Sequence, residues 1–356
     1  MSFDVIVIGA GPAGSICSRH LARKGFSVLL VDKAQFPRPK ICGDCLTPRS
    51  YNLWEEEDLL RPFESLPHYA ITDFFISAGT NPPLRVTLSG NDRPHRAVSR
   101  TLMDDWLLRE AEKSGVVVHE NSRILEINGP ACIVTDQGEY KARVLIGADG
   151  RNSWVARSAG LPVGKALCRR VAWQSRAPAA TIEKGVHMKF FDQGYLGTVR
   201  HNEQEANVCI VLNQPCKATP QEIASRYLGI AASLAWKSVT PLSRMPGEVA
   251  REQTLLIGDA ARIIEPFTGE GTYMAMRSGQ LAGHCTAKAF EGRSLYSLAP
   301  VYMEKHRELY RKMAFHNQLT RWLALHPKTA QATVKILQHQ PRLLELLVYS
   351  NLYQKN

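Results

Sequence analysis

Residues 3–32 constrain this chain more than any other stretch. An apolar run, Phe3-Asp-Val-Ile-Val-Ile8, feeds the turn Gly9-Ala-Gly11-Pro12-Ala13-Gly14, then a helix-forming stretch, then a second apolar run from Ser27 to Val31 that ends in Asp32. Each part has a physical task in binding a dinucleotide. Gly9 permits a tight turn, Gly11 lets the backbone approach a pyrophosphate, and Gly14 lets the helix pack close to the strand. The helix N-terminus offers free N–H groups and the positive end of its dipole to phosphates. Asp32, 23 residues after Gly9, can accept hydrogen bonds from a ribose. The unit does not say which dinucleotide is bound.

Two later motifs have the same construction. In Val144-Leu-Ile-Gly147-Ala-Asp149-Gly150-Arg-Asn-Ser153, a buried strand ends in Gly-Ala-Asp-Gly and enters a helix that Ser153 can cap. In Leu255-Leu-Ile257-Gly258-Asp259, a strand ends in Gly-Asp and is followed by Glu265-Pro266-Phe-Thr-Gly269-Glu-Gly271-Thr272 and a helix. Asp259 can accept hydrogen bonds from sugar-alcohol hydroxyls. Gly269 and Gly271 let the backbone approach a flat ring, and the following helix favours negative charge developing at that ring. A reduced flavin carries such charge, whereas a nicotinamide enzyme has no need of this third unit.

The rest of the chain reads more coarsely. Three prolines make residues 34–50 a long loop, and Cys42-Gly-Asp-Cys45 lies within it. That Cys-x-x-Cys reads as ordinary loop rather than a dithiol, and no second cysteine or histidine pair completes a zinc site. Residues 51–62 read as helix, 67–98 as interrupted strands, and Arg100–Ser114 as a helix stopped by Gly115. Short strands are expected at 116–119, 124–127, 132–135 and 139–146. Residues 165–213 alternate as antiparallel sheet, residues 220–232 read as helix, and the chain is mainly helical from Thr272 onward.

Length and charge bound the remainder. The 356 residues allow two domains, and no run approaches 18 apolar residues, so no membrane-spanning helix is expected. A strand beginning at residue 3 leaves no room for a signal peptide, which places the chain in the cytoplasm. The eight cysteines are expected to be reduced. Of the net charge of +11, the segment from Pro300 holds +6: nine bases (Lys305, Arg307, Arg311, Lys312, Arg321, Lys328, Lys335, Arg342 and Lys355) against Glu304, Glu308 and Glu345. The same segment carries Leu319, Trp322, Leu323, Leu325, Ile336, Leu337, Leu343, Leu344, Leu346 and Leu347. The reading it favours is a helical cap with its charges in water; the alternative is peripheral contact with an anionic membrane. No nucleic-acid recognition motif accompanies the charge, so nucleic acid is not an expected partner.

The three motifs in this order resemble the FAD-dependent enzymes of the p-hydroxybenzoate hydroxylase fold, over roughly residues 3–290. Within it, Pro37-Arg-Pro-Lys40-Ile-Cys42-Gly43-Asp44 and Pro266-Phe-Thr-Gly269-Glu-Gly271 are most similar to the geranylgeranyl reductase-like branch. The resemblance implies an α/β fold: a discontinuous Rossmann-like FAD-binding domain (1–66, 97–164 and 250–290), an inserted antiparallel-sheet substrate domain (67–96 and 165–249) and a C-terminal helical region (291–356). It implies that Gly9, Gly11, Pro12, Ala13 and Gly14 hold the FAD pyrophosphate, that Asp32 and Lys33 meet the adenosine ribose, and that Ile124 touches adenine. By the same resemblance Arg100 contacts the phosphates, Asp149 and Gly150 support FAD and a passing nicotinamide, and Gly258 and Asp259 hold the ribitol. Pro266, Gly269, Gly271 and Thr272 then line the isoalloxazine, with Cys42 and Arg49 in the loop beside it.

Departures from the family pattern leave the branch open. Asp32 stands where the family more often has Glu, and Arg262 where reductases often show Gly and hydroxylases His. Halogenases of this fold carry Trp-x-Trp-x-Ile-Pro, and the corresponding stretch here is Gly194-Tyr-Leu-Gly-Thr-Val199. With no second Gly-x-Gly-x-x-Gly unit, a transient NAD(P)H visit is the expected source of electrons. The first reading is therefore a monooxygenase that hydroxylates a hydrophobic aromatic or polyketide-like compound with NAD(P)H and O2. The second is a reductase saturating isoprenoid double bonds, and the third an FAD-bound assembly or sensor protein without catalysis. Trp173, Met188, Phe190 and Phe191 are the candidate lining of an apolar substrate pocket. No residue is assigned as catalytic acid or base.

Overall fold

The computed structural model describes residues 1–340, apart from 80, 89–92, 130–131, 163, 168 and 232. Cys168 and the tail residues Arg342, Leu343, Leu344, Glu345, Leu346, Leu347 and Lys355 thus lie outside the described residues.

Apolar runs with no polar alternation predict strands covered on both faces. Six strands lie side by side in the order Ala250–Arg251, Thr254–Leu256, Val144–Gly147, Val5–Ile8, Val28–Val31, Val117–His119. All pairings are parallel except that of the Ala250–Arg251 edge. Val5 pairs with both Val28 and Val144, so segments far apart in sequence become neighbours. Because the central strands are parallel, their carboxyl ends share one edge. Gly9, Ala148-Asp149 and Gly258 therefore open onto a common crevice, where ligands bind in sheets of this type.

Helix Pro12–Ala22 covers this sheet and packs against helix Gly271–Glu291. The contact is close enough that a Cβ at Gly279 would lie 2.2 Å from the Ala13 carbonyl oxygen. A small antiparallel sheet (Ile124–Ile127, Cys132–Thr135, Gly138–Lys141) flanks the unit. The stretch read as one strand over 139–146 is two, Gly138–Lys141 and Val144–Gly147, in different sheets. Residues 51–62 likewise form two helices, Arg49–Glu56 and Leu60–Glu64, broken where Asp58 takes φ +53°.

A second, seven-stranded sheet runs Lys237–Val239, Arg170–Pro178, Glu205–Asn213, Gly194–Arg200, Val186–Phe191, Asp73–Ala78, Leu84–Thr87. It is antiparallel apart from the pair Val186–Phe191 and Asp73–Ala78. Successive strand residues point to opposite faces, and here both faces are covered. One face holds Met188, Phe190 and Tyr195 with Phe267, under helix Pro327–Gln338. The other holds Phe191, Leu196 and Trp173 against helix Pro220–Leu228. That helix starts in a Thr219/Glu222 capping box and ends at Leu228, capped by Gly229 at φ +67°, four residues before the expected end at 232. Helices Leu298–Leu325 and Pro327–Gln338 complete the described chain.

Candidate functional site

The glycines of the first turn divide into two kinds. A Cβ at Gly9 (φ +106°) would fall 2.4 Å from the Ala148 carbonyl oxygen, and one at Gly14 would fall 1.9 Å from that of Gly9. Both are required by the protein's own packing. At Gly11 the nearest atom would be the Arg38 guanidinium at 3.6 Å, so the space beyond Gly11 is open to a ligand. Gly11 caps the helix without a side chain, Pro12 occupies its first turn, and no side-chain bond consumes the leading N–H groups.

Asp32 accepts from the Ala10 amide through Oδ2 (2.7 Å) and from the Ala34 amide through Oδ1 (2.9 Å). Each oxygen keeps a lone pair for a ribose hydroxyl. Lys33 is exposed, and Ile124 is half-buried on the small flanking sheet.

Around the turn stand four cations, of which the sequence reading assigned only Arg100. Arg100 donates to the fully buried Asp104 from Nε (2.6 Å) and Nη2 (2.8 Å), and Arg38 reaches the same carboxylate at 3.3 Å. Burial alone would lower the Arg100 pKa, but Asp104 and then Cys42 hold it raised. Lys40 is pushed down, first by burial and then by Arg151, Arg100 and Arg38, against the pull of Asp259. Arg151 pairs with Asp259 at 2.9 Å. Arg38, Lys40, Arg100 and Arg151 thus gather beside the turn, and cationic side chains of this kind suit a diphosphate.

Asp149 has a double role. Its Oδ2 accepts from the Trp154 and Val155 amides (2.6 and 3.1 Å) and caps helix Trp154–Ser158, to which Ser153 adds a bond from the Ala156 amide. Its Oδ1 is buried without a partner. An unpartnered buried oxygen is costly, and a ligand hydroxyl or amide would relieve it. Gly150, at φ +83°, has nothing within 4 Å of a built Cβ.

Gly258 (φ +57°) donates its amide to Ser278 Oγ at 2.9 Å and turns the chain so that Asp259 faces Arg151. Pro266 opens a short turn closed by Gly269 at φ +67°, and helix Gly271–Glu291 starts immediately after. Around Gly269 and Gly271 a Cβ would meet nothing within 4 Å, so their outer side is open. Glu270 is buried and ion-paired to Arg49 at 3.1 Å; burial raises its pKa and Arg49 opposes that. Beneath the turn, the ion pair Arg170–Glu265 is buried on both sides, and the Tyr195 hydroxyl donates to Glu265 at 3.4 Å. Phe267 packs on Phe190 and Tyr195, with ring centroids 5.0 and 5.6 Å apart.

The loop carrying Cys42 joins the two sheets. Cys42 Sγ lies 3.9 Å from Thr272 Oγ1, and the Cys42 carbonyl accepts from Gln174 Nε2 and Asn207 Nδ2, both at 2.9 Å, and from Cys209. Asp44, buried at φ +57°, accepts from Arg176 and His201 (3.0 Å each) and from the Arg100 amide. Cys45 is half-buried, and desolvation pushes its thiol up to about 12, which favours the protonated thiol.

The structure brings together Gly9, Gly11, Asp149, Gly258 and Asp259 at one sheet edge, and Cys42, Arg49, Pro266 and Thr272 at the adjoining turn. It corrects the expected pocket lining. Trp173 and Phe191 lie on the far face of the seven-stranded sheet with helix Pro220–Leu228, because adjacent strand residues cannot share a face. Met188, Phe190, Tyr195 and Phe267 form the apolar face on the side of the Pro266–Thr268 turn. Sequence reasoning missed Arg38, Lys40, Asp44, Asp104 and Arg151; three bases within the Pro37–Lys40 loop and the turn after Asp149 were the available signal.

Residues 2–175, just under half of the chain, match the FAD binding domain family. A menaquinone reductase from Mycolicibacterium smegmatis is 25% identical, with 97% of this chain and 92% of that protein covered. Digeranylgeranylglycerophospholipid reductase 2 from Methanopyrus kandleri is 28% identical over 82% of this chain and 78% of its own length. Conditioned medium factor receptor 1 from Dictyostelium discoideum is 27% identical over 82% of this chain, which spans only 65% of that protein. Among solved structures, a geranylgeranyl bacteriochlorophyll reductase-like protein from Thermoplasma acidophilum superposes with a TM-score of 0.77 at 23% identity, covering 94% of this chain and 91% of that one. The flavin-dependent halogenase CmlS gives 0.74 at 19% identity, with 87% and 63% covered. The probable FAD-dependent monooxygenase pqsL of Pseudomonas aeruginosa gives 0.76 at 15% identity, with 94% and 99% covered. The fold is that of these flavoenzymes, and the chain is an FAD-dependent oxidoreductase.

Proposed function

We infer that this FAD-dependent oxidoreductase is a reductase that delivers hydride to a carbon–carbon double bond of an isoprenoid-type lipid, with NAD(P)H as the transient reductant. The observation that carries this reading is the extent of the sequence similarity. It covers 97% of the chain against the menaquinone reductase, and so runs through the substrate-side sheet as well as the FAD-binding half. The second reductase is named for a geranylgeranyl lipid.

The residues fit the cofactor. Bound FAD supplies two-electron hydride chemistry. Arg38, Lys40 and Arg100 stand where its diphosphate would lie beyond Gly11, Asp32 at its ribose, and Asp259 with Arg151 at its ribitol. The N-terminus of helix Gly271–Glu291 would offer partial positive charge to the reacting end of the flavin. The Arg49–Glu270 pair keeps that end close to neutral overall. Met188, Phe190, Tyr195 and Phe267 supply an apolar wall that excludes water and accommodates a hydrocarbon chain.

The same wall suits a monooxygenase of a hydrophobic compound, so the decisive measurement is the fate of oxygen. Under anaerobic conditions, reduced holoprotein with a geranylgeranyl lipid or menaquinone should yield a product with two more hydrogens in its isoprenoid chain, a gain that survives re-oxidation of any quinol in air. A product that forms only with O2 and gains one oxygen atom would overturn the reductase reading in favour of hydroxylation. Cofactor binding is tested separately. Asp259→Ala removes a charged acceptor and should weaken FAD affinity by roughly 10- to 100-fold, read by flavin fluorescence titration.

A further inference from the structure

We propose that the C-terminal helices form a docking surface for an anionic lipid bilayer. From Leu309 to Gln340 the chain contains no aspartate or glutamate, but five bases: Arg311, Lys312, Arg321, Lys328 and Lys335. Helix Leu298–Leu325 ends in a groove of about 400 Å³ lined by Gln318, Leu319, Arg321, Trp322 and Leu325. These positions recur at three- and four-residue intervals, so they share one face of the helix. Leu319 is 36% and Trp322 46% exposed, and Ile336 on the next helix is 59% exposed. Only nine large apolar side chains are exposed among the described residues, and these three fall within 18 positions of one another.

An apolar groove that carries Arg321, in a stretch with bases and no acids of its own, fits an anionic interface better than a neutral protein surface. The tryptophan suits the headgroup layer, where its ring is apolar and its N–H is wet. His326 packs against Trp322 with ring centroids 4.9 Å apart and the planes tilted by 32°. The following helix, Pro327–Gln338, turns its other side (Ala330, Val334, Leu337) onto the apolar face that holds Met188 and Phe190. Lys328, Lys335 and Ile336 of the docking surface thus share a helix with the cover of the substrate-side wall, and the groove lies on the helix before it. The proposal concerns a surface and holds whichever reaction the flavin performs.

The test uses the flavin-loaded full-length chain and sucrose-loaded vesicles, without turnover, so its failure would leave the proposed reaction standing. The protein should pellet with vesicles containing phosphatidylglycerol and remain in the supernatant with phosphatidylcholine alone, and high salt should release it. Replacing Arg321, Lys328 and Lys335 together by Gln should weaken binding by about 100-fold, at roughly fivefold per charge near the surface. Trp322→Ala should weaken it by about tenfold at any salt concentration, from the lost apolar burial. Unchanged flavin absorbance and melting temperature identify folded variants. Absence of pelleting, equal binding to neutral vesicles, or binding indifferent to these substitutions would overturn the proposal. Self-association without vesicles that Trp322→Ala abolishes would assign the groove to a second copy of the chain and equally overturn it.

Discussion

The two large sheets obey different rules of legibility. In the parallel sheet, the central strands are continuous apolar runs, and Val5–Ile8 is followed by a turn that only glycine can make. A Cβ at Gly14 would sit 1.9 Å from a carbonyl oxygen, so the residue identity itself records the fold. In the seven-stranded sheet, Phe190 and Phe191 are both apolar and both buried, although they face opposite ways. With both faces covered, period-two alternation vanishes and nothing local says which cover lies on which face. Backbone demands are written where they act, whereas the covering elements come from elsewhere in the chain: helix Pro220–Leu228 for the Phe191 face and the much more distant helix Pro327–Gln338 for the Phe190 face.

Five substitutions would break or sharpen that contrast. Gly14→Val is expected to be the most damaging: the clash with backbone leaves no relief, and the chain should neither retain FAD nor fold cooperatively, as seen by flavin absorbance and calorimetry. Glu265→Gln leaves Arg170 buried without its full counter-charge, at a cost of about 3–5 kcal/mol. Melting should fall by several degrees, and a melting point at the wild-type value would remove the ion pair from the account of how the turn at Pro266 is held.

His95 supplies a pH prediction. Burial lowers its pKa from 6.5 to about 4, so in acid the unfolded chain binds a proton that the folded chain refuses. Its contribution is complete above about 6.5 and is lost as pH falls toward 4, a loss of at most about 3 kcal/mol. His95→Gln should therefore flatten the decline in melting temperature between neutral pH and pH 5; an unchanged slope would count against a neutral buried imidazole. The smallest effects separate the faces of the substrate-side sheet. Each Phe→Leu change should cost about 1 kcal/mol of stability, but Phe190→Leu should change substrate KM and Phe191→Leu should leave KM alone. A KM change in the Phe191 variant would restore the pocket lining expected from sequence.

The site itself was only partly legible. Glycine turns and strand-end acids are local signals, and Asp32, Asp149 and Asp259 all stand at the ends of strands in the sheet. The charges that surround them are not local. Arg151 reads as a surface residue until Asp259 is folded against it 108 positions later, and Asp104 reads as one helical acid among several until Arg38 and Arg100 converge on it. The 139–146 strand was misjudged for a similar reason: the break at Ala142-Arg143 carries no glycine or proline, and only the change of sheet reveals it.

The fastening of the Cys42–Asp44 segment has a consequence for engineering. Its carbonyl and carboxylate groups are gripped by Gln174, Arg176, His201, Asn207 and Cys209, all from the sheet that would receive substrate. A chimera that imported that sheet from a relative would therefore have to import the matching loop with it. Built without the loop, it would report the mismatch as a shifted flavin absorption spectrum before any substrate was added.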